Sequence, residues 1–186
     1  MIKLQKLGYT KKWLELGLLT NQELELQIEE FDKSEDKNTE HYRYKTFKKY
    51  LTNKKVLTDR ELDNFLNLSN SEKALSMSIA AKLDLFRDIE LTDIQFNKVC
   101  KEIFELGASV QKIVIRQRLL RRLKKENLTE QLFEEIVTSN DSVTQSYILN
   151  LSNKSQLKEL IENGATKEIK KKATEKLNKL TIKNDC

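Results

Sequence analysis

Proline is absent from this 186-residue chain, and glycine occurs only four times. At average usage a chain of this length carries about nine prolines and about thirteen glycines. With helix breakers so scarce and 34% of residues charged, the composition predicts an all-α protein. Other shortages exclude particular chemistries. Gly8, Gly17, Gly107 and Gly164 are scattered, so there is no glycine-rich loop to cradle phosphate. Cys100, Cys186 and His41 are the only cysteines and histidine, too few and too far apart for a zinc site. No stretch approaches the ~18 apolar residues of a membrane span. The opening Met1-Ile-Lys-Leu-Gln-Lys-Leu7 has no apolar run of the kind found in a secretory signal. The expectation is a soluble, cytoplasmic protein with no cofactor, no metal, no membrane partner and no small-molecule substrate.

One short phrase does recur. Leu19-Thr-Asn-Gln-Glu-Leu24, Leu57-Thr-Asp-Arg-Glu-Leu62, Leu91-Thr-Asp-Ile-Gln-Phe96 and Leu128-Thr-Glu-Gln-Leu-Phe133 share it, at steps of 38, 34 and 37 residues. A fifth copy, Leu151-Ser-Asn-Lys-Ser-Gln-Leu157, is one residue longer. The phrase describes a helix start. Thr20, Thr58, Thr92 and Thr129 suit the N-cap, and Glu23, Glu61 and Gln95 stand three residues later to complete capping boxes. Between the caps, apolar residues recur at helical spacing: Tyr44/Phe47/Leu51, Leu75/Ile79/Leu83/Phe86, Ile115/Leu119/Leu123 and Val143/Tyr147/Leu151. The resulting helices are 10–17, 21–32, 41–54, 59–68, 71–87, 93–106, 109–126, 130–139, 142–151, 154–163 and 166–180. Pairs of helices repeating near 35 residues predict a short right-handed α-solenoid, because one pair alone cannot bury its own apolar faces.

Gly107-Ala-Ser-Val-Gln-Lys-Ile113 and Gly164-Ala-Thr-Lys-Glu-Ile-Lys170 align without gaps. Glu168-Ile-Lys-Lys-Lys-Ala-Thr-Glu-Lys-Leu177 resembles the second helix of a HEAT repeat, as does Asp141-Ser-Val-Thr-Gln-Ser-Tyr-Ile-Leu149 more loosely. The resemblance to the HEAT-like (armadillo/HEAT-type) family spans 91–180, and departs from it in lacking the usual first-helix proline. It implies stacked antiparallel helix pairs that bind other macromolecules; a subset of that family binds or acts on DNA. The domain expectation is an N-terminal helical hairpin over 1–32 packed on the array, an acidic linker over 33–40, HEAT-like repeats over 41–180 and a flexible tail over 181–186.

The linker places Asp32, Ser34, Asp36 and Asn38 at alternate positions, as a calcium loop does, but Lys37 and Arg43 stand where that loop needs Gly and Glu. It reads instead as a solvated acidic connection.

Charge is blocked along the chain. Residues 21–40 carry a balance of −6, residues 41–55 carry +6 without an acid, and residues 112–125 carry +7 without an acid. Four of the seven arginines fall between 116 and 122, and Arg offers a planar fork suited to phosphate or carboxylate. Candidate binding residues are therefore Arg118, Arg121, Arg122 and Lys125 on one helix. Tyr42, Arg43, Lys45, Lys48 and Lys49 are the candidates on the other, with His41 and Tyr42 facing solvent. Arg116, at the edge of the apolar stripe, suits a structural ion pair. Trp13 and Cys100 lie among apolar neighbours and read as core, and Cys186 reads as an exposed terminal thiol. Catalytic residues are not expected: a nucleic-acid enzyme would need a pocket near Tyr42, Trp13 and Glu40. The leading expectation is a non-catalytic scaffold that binds another protein, and the alternative is nucleic-acid binding through 41–55 and 112–125.

Overall fold

A computed structural model describes residues 2–182, so Cys186 lies outside the described residues. Those residues form twelve helices and no strand. They are α1 (Ile2–Lys6), α2 (Lys11–Glu15), α3 (Asn21–Lys33), α4 (Thr39–Thr52), α5 (Asp59–Asn70), α6 (Leu75–Asp88), α7 (Asp93–Phe104), α8 (Ala108–Lys125), α9 (Glu130–Thr138), α10 (Ser142–Ile148), α11 (Lys154–Asn163) and α12 (Lys167–Ile182). The fold is all-α and repeat-like. No helix among the described residues is long and apolar enough to cross a membrane.

The recurring phrase does begin helices. Thr20, Thr58 and Thr92 each accept a hydrogen bond from the third residue's backbone N–H, and the side-chain oxygens of Glu23, Glu61 and Gln95 accept one from the cap's own N–H. Thr129 caps α9. In the longer fifth copy the cap is Asn153, which forms a full box with Gln156. Two box glutamines also reach sideways to the start of an earlier helix. Gln95 Nε2 donates to the Asp59 carboxylate at 2.8 Å and to the Leu57 carbonyl at 2.9 Å. Gln156 Nε2 donates to the Glu130 carboxylate at 3.0 Å. Asp59 and Glu130 are each the first residue of a cap-led helix, so the same polar stitch joins α7 to α5 and α11 to α9.

The chain divides into two compact units, 1–107 and 108–186. The division falls inside the span 41–180 that the sequence suggests is one array.

The first unit is built on aromatic rings. Tyr9 meets Trp13 edge-on at 5.0 Å, Trp13 meets Phe47 at 4.5 Å, and Phe47 meets Phe65 at 4.9 Å. The Tyr9 hydroxyl lies 2.6 Å from the Thr46 hydroxyl and donates to the Tyr42 carbonyl at 3.0 Å. Burial pushes that phenol up to about 12. The N-terminal segment thus shares its core with α4. Gly8 has φ of +73°, and a Cβ there would strike the Arg43 guanidinium, so conformation and space both require glycine.

Helix α6 departs from the expected stripe. It starts at Leu75 instead of residue 71, and Leu75 is exposed, whereas Met77, Ser78, Ala81, Lys82, Asp84 and Leu85 are buried. The helix packs against α4, α5 and α7, which cover most of its girth, so even Lys82 lies inside. The Lys82 amine donates to the Ser78 hydroxyl at 2.9 Å, and burial pulls its pKa below the usual lysine range.

The second unit has an aliphatic core of Leu119, Leu132, Ile136, Ile148, Leu157, Leu160 and Ile169 around the ring of Phe133. Helix α10 packs against α8, α9 and α12, and α11 packs against α9 and α12. The aligned glycines differ in use. Gly107 has φ of +119° with open space around it, whereas Gly164 has no room for a Cβ between the Leu160 carbonyl and Ile169.

Candidate binding surface

Helix α4 is where the basic stretch 41–55 meets the rest of its unit. Tyr42 is 4% exposed and Arg43 7% exposed, which corrects the expectation that Tyr42 faces solvent. The reason lies in distant partners: the Tyr42 ring meets Phe31 edge-on at 5.8 Å. Arg43 is held between the Leu7 carbonyl, at 2.8 Å, and the Glu72 carboxylate, at 3.0 Å. Burial holds Glu72 above the usual carboxylate range even with the guanidinium beside it. The remaining bases of this stretch largely meet acids. Lys45 pairs with Glu30 at 2.8 Å, Lys49 with Glu23, and Lys54 with Glu61. Burial alone would raise Glu23, but hydrogen bonds from Lys49 and Thr20 bring it below its ordinary value. Lys54 and the Thr58 cap hold Glu61 down to about 2. Lys48 is exposed. The +6 block is thus met partly by the −6 block before it in sequence, through Glu23 and Glu30, and partly by Glu61 and Glu72 after it. His41 is exposed and bonds through Nδ1 to Asp36 at 2.8 Å.

Helix α8 carries the second block. Arg116 forms a double contact with the Asp141 carboxylate, at 2.9 and 2.6 Å, and so ties α8 to the cap of α10. Arg122 bonds Glu126 at 2.7 Å and Glu135 at 2.5 Å, and the Glu126 carboxylate raises its pKa. Arg118 and Lys125 are exposed and Arg121 is half-buried.

The feature that sequence reasoning missed is on α10 and the turn that follows it. Val143, Tyr147 and Leu151, expected in the core, are instead 38%, 60% and 57% exposed. The inward face is Thr144, Gln145, Ile148 and Leu149. Gln145 is buried because its amide serves two turns: Nε2 donates to the Val137 carbonyl at 3.3 Å, and Oε1 accepts from the Ala165 N–H at 2.7 Å. With the satisfied Gln145 side chain on the inward face, Val143 and Tyr147 of α10 lie outward, as does Leu151 just beyond its end.

Beside this stripe a cleft of about 760 Å³ opens between α10 and α12, with Leu149 and Leu180 among its lining residues. Its α12 wall presents Lys172, Lys176 and Lys179 around Glu175. Lys176 reaches across to Asn150 at 2.5 Å, and Lys172 pairs with Glu168 at 2.6 Å. Ser146 and Asn150, also on the cleft, each precede a stripe residue, so the stripe and the cleft are adjoining parts of one surface.

No three His, Cys, Asp or Glu side chains among the described residues come together to hold a metal. Compared with protein-family models, curated proteins and solved structures, the chain matches none of them.

Proposed function

We propose that this chain is a non-catalytic interaction module, a HEAT-like right-handed α-solenoid acting as a scaffold or adaptor for another protein. The observation that carries the reading is the exposed row Val143, Tyr147 and Leu151 beside a cleft. Contiguous apolar surface of this kind, rimmed by polar residues, marks an interaction site, and an exposed tyrosine is a favoured anchor. Aliphatic groups offer little to phosphates or base edges, which favours protein over nucleic acid. Nucleic acid is the alternative partner, and it would meet phosphates through 41–55 and 112–125, several of whose bases already pair with acids. The proposed setting is the cytoplasm, where the buried thiol of Cys100 stays reduced.

The test places a photo-crosslinking aromatic residue at position 147 and, as a control, at exposed Lys158. The expected result is a discrete protein adduct from position 147 alone. Absence of that adduct, together with DNA or RNA binding that survives about 0.15 M salt with a steep salt slope, would replace the proposal with the nucleic-acid reading.

A further inference from the structure

We infer that the cleft between α10 and α12 receives an acidic amphipathic helix of the partner protein; this rests on the protein-binding reading and gives the partner its chemistry. The shape comes first. A trough of about 760 Å³ with leucines from both helices fits a rod of side chains better than it fits a flat bilayer. The exposed stripe on α10 widens the trough on one side, so apolar anchors spaced i, i+3/i+4, i+7 on an incoming helix meet the cleft and the stripe together.

Charge then selects the occupant. Lys172, Lys176 and Lys179 follow at i, i+4 and i+7 along α12 and so lie on one face. Glu175 is the single acid on that wall, and Lys179 has no ionic partner among the described residues. Lys176 is held only by a neutral amide, which a carboxylate would displace in favour of a charge-assisted bond. The whole unit carries 16 Lys and Arg against 10 Asp and Glu, a net +6 that attracts acidic partners from solution. The occupant is therefore a helix with one apolar face flanked by Glu or Asp.

The experiment titrates the full-length chain into a labelled ~18-residue peptide whose Leu positions follow the i, i+3/i+4, i+7 pattern and whose other positions are Glu and Ala. Its comparators are a peptide of identical composition with the leucines scrambled, and one with Glu changed to Lys. Expected is saturable binding to the patterned acidic peptide, at least about tenfold tighter than to either comparator. Lys176→Glu with Lys179→Glu, and separately Tyr147→Glu, should each weaken it by about tenfold or more. All three side chains border solvent and leave the core untouched. Equal binding of the scrambled peptide, or binding indifferent to these variants, overturns the inference. So does binding of these same residues to vesicles of anionic lipid in preference to the peptide. If the peptide fails while position 147 still crosslinks a protein, the acidic-helix inference falls and the scaffold reading stands. If both fail, the scaffold reading falls with it.

Discussion

The two units are made of similar cap-led helices and differ in net charge and in where their aromatic rings lie. The first holds 18 Lys and Arg against 19 Asp and Glu, and largely engages its most basic helix internally: Arg43 with Glu72, Lys45 with Glu30, Lys49 with Glu23. It also holds eleven of the thirteen aromatic residues, four of them in a continuous ring contact from Tyr9 to Phe65. The second unit has only Phe133 and Tyr147, and places the tyrosine outside. Its net charge of +6 is matched by lysines along an open cleft. A block of bases in sequence thus carries no fixed meaning: what decides is whether acids from neighbouring helices arrive beside it.

The comparison breaks most severely at Arg43. Arg43→Met strands the buried Glu72 carboxylate and should destabilise the first unit by about 3–5 kcal/mol in urea unfolding. Adding Glu72→Leu removes the stranded charge, and most of the loss should return. A loss that persists in the double variant would show that the pair contributes more than it costs to bury.

Next in size are the stitches common to both units. Gln95→Ala and Gln156→Ala each remove a cap partner and a helix-to-helix hydrogen bond, costing about 1–2 kcal/mol. Gln95 should cost more, since it serves two acceptors on the earlier helix. Equal, negligible losses would mean the lateral bonds do not couple successive pairs.

Acid should separate the glutamate-boxed caps from the amide-boxed one more gently. The folded Glu61 pKa of about 2 lies below its ordinary 4.5, so the stability it contributes is full above pH ~4.5 and is lost as pH falls through ~2. Glu23 shifts in the same direction. The boxed cap of α11 uses Asn153 and Gln156, which do not titrate. Hydrogen exchange between pH 5 and pH 2 should therefore show the starts of α3 and α5 loosening before that of α11; the reverse order would contradict this assignment.

Much of this organisation is legible in the sequence, for local reasons. A cap and its box lie within four residues of each other, so every helix the phrase predicts begins within a residue of the expected place. Helix α1, five residues long, has no such signal and is not foreseen. The orientation of α10 is not legible, because it depends on Gln145 finding acceptors and donors at Val137 and Ala165. Arg43 is unreadable for the same reason, with Glu72 29 residues away. Spacing gives the period of a stripe, but the neighbours decide which face is covered.

The smallest expected effect on folding is also the most informative. Tyr147→Glu and Leu151→Glu should change stability by less than ~0.5 kcal/mol, as exposed substitutions do. A loss above ~2 kcal/mol would show that the stripe is structural.

The most direct measurement is an NMR shift map of the full chain titrated with the patterned acidic peptide. Perturbations should concentrate on 142–151 and 172–180, with 39–52 unmoved. Perturbations concentrated on α4, or spread evenly over every lysine, would contradict the acidic-helix inference.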